Sequence, residues 1–201
     1  MTTRFRLFCA TSNPGKVLEF RMAATHFGFH EIEIDLLPGI KDIAPPAEHG
    51  TTFEENAALK AIYYSGFADE PVFADDSGLC VDALGGAPGV YSARYAGENA
   101  TDAANNALLL ERLKGVAGRR ARFVCLAGLA QRGKLLGTFR GEVEGRMIDI
   151  PRGSGGFGYD PLFYYEPFQC TLAEVDPARK MDVSHRGKAL RAMLEFLRTR
   201  G

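Results

Sequence analysis

The 201 residues contain no apolar run approaching the ~20 needed for a membrane-spanning helix. Met1 to Cys9 hold two arginines without the long apolar stretch or small-residue cleavage site of an export signal. These absences predict a cytoplasmic protein with no membrane partner. Charge of one sign is lacking too. The 24 basic and 25 acidic side chains leave a net charge of -1, so there is no bulk field to attract nucleic acid or an anionic membrane. Any anion site must be local, and no nucleic-acid partner is expected. Cysteine is sparse, and Cys9, Cys80, Cys125 and Cys170 stand singly among apolar neighbours. Without close pairs they suit neither zinc nor redox motifs and read as small hydrophobes carrying free thiols. His26 and His30 stand four apart with no third ligand beside them, which reads as a surface pair. There is no fixed-period repeat, low-complexity tract or interdomain linker, so residues 1–201 read as a single domain.

What is present alternates between strand and helix. Arg4 to Ala10 suits a strand, and Gly15 to Phe27 places Phe20, Ala24 and Phe27 at helical spacing. Glu31 to Leu36 reads as strand, Pro38 to Gly50 as loop, and Phe53 to Ser65 as a helix opened by a Thr52–Glu55 capping box. Val72 to Ala74 is a short apolar strand running into Asp75-Asp76-Ser77-Gly78, with Leu79 to Ala83 as its continuation. Thr101 to Leu113 is helical. Arg122 to Gln131 and Leu135 to Glu144 flank a hairpin at Arg132-Gly133-Lys134. The last helix runs from His185 to Arg200 with Leu190, Met193, Leu194 and Leu197 inward. The fold class is α/β, with a mixed sheet flanked by helices.

Several segments could do chemistry. Thr11-Ser12-Asn13-Pro14-Gly15-Lys16 lies between a strand and a helix. Asn13 can cap, Pro14 suits the first helical position, and the turn's N–H groups with Lys16 form an anion cradle; an ordinary helix start reads the same way. Lys60 lies one helical turn beyond Asn56, lining either a cleft or a solvated face. Glu55 is occupied by its capping role. Asp75-Asp76 sits at the carboxyl end of a buried strand, where open α/β sheets place their ligands. Strand alternation points the two carboxylates apart, so only one can face a substrate squarely. That one can hold Mg²⁺ or orient water for attack on phosphorus, although turn-capping aspartates would have the same sequence. Gly153, Gly155 and Gly158 match G-x-G-x-x-G, but Pro151 before them and Tyr159-Asp160-Pro161 after them bar a Rossmann helix. The loop instead presents Phe157 and Tyr159, for stacking on a base or for packing beneath. Arg179 to Lys188 clusters cations at the start of the final helix, where the macrodipole disfavours them unless an anion binds.

Together these segments resemble the inosine triphosphate pyrophosphatase family, the dITP/XTP pyrophosphatases. The resemblance rests on Ala10 to Lys16, Phe53 to Ala61, Ala74 to Leu79, Gly85 to Tyr95, Gly155 to Pro161 and Ser184-His185-Arg186, in family order over nearly the whole chain. It implies two lobes around a central nucleotide-binding cleft, a homodimer, and Mg²⁺-dependent cleavage of non-canonical purine nucleoside triphosphates (ITP, dITP, XTP) to monophosphate and pyrophosphate. By position, Thr11, Ser12, Asn13, Pro14, Gly15 and Lys16 look like the triphosphate cradle and Lys60 like the cleft lysine. Asp76 resembles the general base and metal ligand, with Glu48 as the second metal ligand and Ser77 touching substrate. Phe157, Gly158, Tyr159 and Asp160, with Lys180, His185 and Arg186, resemble the base-recognition part; Met181 departs from the small polar residue often found after the lysine. A 6-keto purine suits this set, since Arg186 can donate to O6 and N7 whereas the 6-amino group of adenine presents a donor to a donor.

Two other classes compete. A regulatory nucleotide-binding module without turnover needs the cradle and base pocket but not Glu48, Lys60 or Asp76. A phosphomonoesterase with an aspartyl nucleophile needs Asp after the first strand, where this chain has Thr11-Ser12-Asn13.

Overall fold

A computed structural model describes residues 5–200; the expected start of the first strand, Arg4, lies outside them. The described strands are β1 (Phe5–Cys9), β2 (Ile32–Leu36), β3 (Val72–Val81), β4 (Arg120–Gln131), β5 (Lys134–Met147), β6 (Phe163–Tyr165) and β7 (Cys170–Thr171). They form one sheet in the order β2-β1-β3-β4-β5-β6-β7. The α-helices are α1 (Pro14–His26), α2 (Phe53–Tyr64), α3 (Asp102–Arg112), α4 (Pro177–Val183) and α5 (His185–Arg198).

Parallel neighbours require a crossover, and β1 pairs in parallel with β2 through α1 and with β3. From β3 to β7 every pairing is antiparallel. The β4–β5 turn places Arg132 (φ 49°) and Gly133 (φ 76°) in the left-handed region, the geometry whose twist matches a two-residue hairpin. No described helix is long and apolar enough to cross a membrane.

β3 is one continuous ten-residue strand, so the Asp75 to Gly78 stretch expected between two short strands is itself strand. Because it stays extended through the aspartates, the pleat sends alternate side chains to opposite faces. On one face Phe73 packs with α1, α4 and α5 and Leu79 and Val81 pack with α3, while Val72, Ala74 and Cys80 lie on the α2 face. Close approach by α2 depends on Gly128, where an added Cβ would stand 2.5 Å from the Ala57 carbonyl oxygen.

On the α1/α5 face the apolar side chains form two clusters. One joins Phe20, Phe73, Leu129, Leu190, Met193 and Leu194. The other joins Leu79, Leu109, Leu113, Phe123, Phe163 and Leu172. Between these cores, on the same face, lie the polar side chains of Asp75 and Ser77, so the two lobes meet along a polar seam.

The basic segment differs from expectation. Arg179 and Lys180 belong to a separate short helix, α4, capped by Asp176 and started by Pro177. Ser184 ends α4 and caps α5 through a bond from Gly187 N–H, so of the basic segment His185, Arg186 and Lys188 lie in the first turn of the final helix while Arg179 and Lys180 do not. The Asp176-Pro177 pair was the available signal for this extra helix start. β6 and β7, three and two residues long, are too short to show a period.

Candidate active site

α2 opens with the expected capping box. Glu55 N–H donates to Thr52 Oγ1 at 3.2 Å, and Glu55 Oε2 accepts from Thr51 N–H at 2.7 Å and Thr52 N–H at 3.1 Å. Glu55 is thus committed to the helix start. One turn apart, Asn56 and Lys60 meet Asp76 on the α2 face of β3. Lys60 Nζ donates to Asp76 Oδ1 at 2.8 Å, and Asn56 Nδ2 donates to Asp76 Oδ2 at 3.4 Å. The loop before α2 brings Glu48 Oε1 to 3.4 Å from the same ammonium.

Burial pushes the Asp76 carboxyl above its ordinary range, against the pull of Lys60 and with the push of Glu48 and Asp75. Burial works against the charge of Lys60, yet Asp76, Asp75 and Glu48 hold it above its usual value. Two carboxylates converging on one cationic point are a suitable donor set for a hard divalent cation, which takes one or two carboxylates plus phosphate oxygens and water. Among the described residues no group of three His, Cys, Asp or Glu side chains could hold a metal alone.

Asp75 points the other way. Its Oδ2 lies 2.8 Å from Lys16 Nζ and accepts a bond from Ser77 Oγ at 2.9 Å, with Arg186 Nε at 3.9 Å. Burial alone would raise this carboxyl, but Lys16, Arg186 and Lys60 hold it at about 2. Arg186 donates to Ser77 Oγ at 2.9 Å and to Glu19 Oε2 at 3.1 Å. Glu19 also receives Lys180 Nζ at 2.8 Å, and Lys180 reaches Asp160 Oδ2 at 2.8 Å. These buried carboxylates resolve the clash between clustered cations and a helix N-terminus. Burial works against ionisation of Glu19, but Arg186 and Lys180 bring its carboxyl below the usual range.

Glu19 escaped sequence reasoning. Its signal was an acid on the inward side of α1, four residues before the buried Ala23. Met181, the departure from the family pattern, is a core residue that seats α4.

The cradle loop adopts the expected helix start: Asn13 Oδ1 accepts from Gly15 N–H at 2.9 Å and Lys16 N–H at 3.2 Å, with Pro14 in the first turn. Asn13 N–H is bonded to Thr11 Oγ1 at 3.2 Å. Three of the backbone donors expected to meet an anion are therefore capped internally and the Lys16 ammonium is tied to Asp75, while Ser12 and Asn13 are exposed. The Phe157 ring lies against Gly15 and 4.8 Å from the Arg186 guanidinium carbon. Tyr159, expected as a possible stacking surface, belongs to the second core, with its hydroxyl donating to Ser92 O at 2.8 Å. It supports the loop from beneath.

His185 is buried and stacks on Phe123 at 4.8 Å between centroids. Burial, then Arg186 and Lys180, push it well below its ordinary pKa, so the ring is neutral and offers one donor and one acceptor. Among the described residues neither ring nitrogen, nor Arg186 Nε, has a hydrogen-bond partner. Cys9, Cys80 and Cys125 are buried free thiols and Cys170 is half-buried, while His26 pairs with Asp182 at 2.6 Å. A cavity of about 620 Å³ beyond Cys80, bounded by Phe53, Tyr91, Arg122 and Arg140, is lined by none of the candidate site residues.

The Ham1 family profile matches residues 7–196. A dITP/XTP pyrophosphatase of Exiguobacterium sp. is 51% identical over 188 residues, covering 94% of each chain. One from Acidobacterium capsulatum is 47% identical, covering 95% of this chain and 97% of its own. The solved structure of the Staphylococcus aureus Ham1 protein superposes with a TM-score of 0.85 at 37% identity, over 98% of this chain and 100% of that one. In sequence and in fold alike, this chain belongs to the Ham1 family.

Proposed function

We propose that this protein is a nucleoside triphosphate pyrophosphatase that removes ITP, dITP and XTP from the nucleotide pool. It adds water across the α–β anhydride and releases the nucleoside monophosphate and pyrophosphate. The carrying observation is the division of β3. Asp76 faces Lys60 and Glu48, while on the other side Asp75 and Ser77 face Arg186 and Asp75 also pairs with Lys16 of the cradle loop; this favours one strand serving both phosphate chemistry and the reading of a base. The names of the relatives agree with this reading.

On the α2 face, Asp76 accepts a proton from the attacking water; burial raises its basicity toward what a general base needs. Lys60, held charged, orients that carboxylate and offers a donor to the phosphates. From the Asp75 side of β3 the cradle loop, with Ser12, Asn13 and Lys16, binds the outer phosphate oxygens. Glu48 and Asp76 would hold Mg²⁺, which supplies charge neutralisation to the triphosphate when bound. A module without turnover has no use for the Glu48–Lys60–Asp76 cluster, which favours the enzyme.

On the other face, Phe157 offers a stacking surface, and Arg186, Lys180 and neutral His185 can donate to O6 and N7 of a 6-keto purine. An adenine 6-amino group would leave buried donors unpaired, which costs enough to discriminate.

Pyrophosphate release from ITP, dITP and XTP, compared with ATP and GTP in the presence of Mg²⁺, tests the reading. Chelation should abolish release and added Mg²⁺ restore it; full activity in metal-free buffer would remove Glu48 and Asp76 as metal ligands. Arg186→Ala should lose much more kcat/KM on ITP than on ATP. An equal loss on both would make Arg186 a phosphate or structural contact.

A further inference from the structure

The loop carrying Phe157 is fastened from the start of α3, an element that contains none of the candidate site residues. Gly158 N–H donates to Asp102 Oδ2 at 2.7 Å, and Gly158 C=O accepts from Asn106 Nδ2 at 3.0 Å. Asp102 and Asn106 are one turn apart at the start of α3, so one helix end grips both polar groups of a single glycine. That glycine is free to take the shape the grip holds. It sits at φ 63°, in the left-handed region, directly after Phe157, whose own N–H is bonded to Asp160 Oδ2 at 2.9 Å. α3 is itself anchored by Leu109 and Leu113, both fully buried in the second core.

From this we infer that Asp102 and Asn106 are positioning residues for base recognition: they hold the Phe157–Gly158 segment so that the Phe157 ring stands over Arg186. The inference rests on the proposed reading of that end of the cleft as a purine pocket. Neither side chain touches Asp76, Lys60 or Glu48, so the clamp bears on base binding and not on water activation. Among the described residues the buried Asn106 Oδ1 has no hydrogen-bond partner. An apolar residue there removes an unsatisfied atom while it frees the Gly158 carbonyl, so fold stability and loop position separate in one variant.

The test uses Asp102→Ala, Asp102→Asn and Asn106→Leu in the full chain. Losing one bond should raise KM for ITP about fivefold to tenfold with kcat within about twofold. Asp102→Asn keeps an acceptor oxygen and should restore KM. Asn106→Leu should raise KM without lowering the melting temperature. Hydrogen exchange over residues 153–160 should quicken in Asp102→Ala and Asn106→Leu and return in Asp102→Asn. Unchanged KM in Asp102→Ala and Asn106→Leu, or a fall in kcat at constant KM, overturns the inference. If the wild type hydrolyses no purine triphosphate, the functional reading fails separately. The exchange arm then decides the clamp alone: quickened exchange retains it and unchanged exchange removes it.

Discussion

Asp76→Asn should lower kcat for pyrophosphate release at least ~10²-fold while leaving the fold intact. The substitution keeps the side chain's size and one acceptor for Lys60, and it removes the only basic oxygen pair that β3 presents to Lys60 and Glu48. Burial raises this carboxyl, so its charge is held at a cost and its loss relieves that cost. The melting temperature should stay within a few degrees of wild type. Purified protein would be compared at saturating ITP and Mg²⁺, after the melting temperature is measured. An Asp76→Asn enzyme with near-wild-type kcat would move the base elsewhere.

The neighbouring change should do the reverse. Asp75 is 4% exposed and ion-paired with Lys16 at 2.8 Å, so Asp75→Asn leaves a partly buried ammonium without its carboxylate. Breaking such a pair costs about 3 kcal/mol, a fall of roughly 10 °C in melting temperature for a chain of this length. Any rate loss should be smaller than for Asp76→Asn. The pH dependence carries its own sign. The folded carboxyl at about 2 lies below its ordinary value of 3.8, so its contribution is fully present above about pH 4. It is lost as pH falls through 2, and amounts to about 2 kcal/mol. Urea unfolding at pH 6 and near pH 2 should show the gap between wild type and Asp75→Asn narrowing by about that amount on acidification. A gap independent of pH would mean that the ion pair contributes nothing to the fold.

The periodic parts of the fold were readable in advance because their signals are local. The Thr52–Glu55 box, the Asn13-Pro14 helix start and the Arg132-Gly133 hairpin each act through bonds between near neighbours, and each stands where the spacing predicts. The alternation rule likewise separated Asp75 from Asp76. What local pattern does not carry is partnership across the chain. Glu19 meets Lys180 and Arg186 across more than 160 residues, and no spacing rule joins α1 to α5. The same holds for Asp102 and Gly158. Tyr159 illustrates the converse, since an aromatic in a glycine-rich loop stacks on a ligand or fills a core according to what lies beneath it. Here the second core lies beneath it. β3 looked interrupted because two aspartates, a serine and a glycine are poor strand formers, and the long antiparallel ladder with β4 overrides that weakness.

In the proposed function the two faces of β3 cooperate, one cleaving the α–β anhydride and the other choosing a 6-keto purine. Its most direct test is phosphorus NMR of ITP and ATP incubated separately with the wild-type enzyme and Mg²⁺. Inosine monophosphate and pyrophosphate should form from ITP, with kcat/KM at least ~10²-fold above that for ATP, as expected where buried donors would be left unpaired. Orthophosphate and a nucleoside diphosphate as the products, or equal kcat/KM on the two substrates, would contradict it.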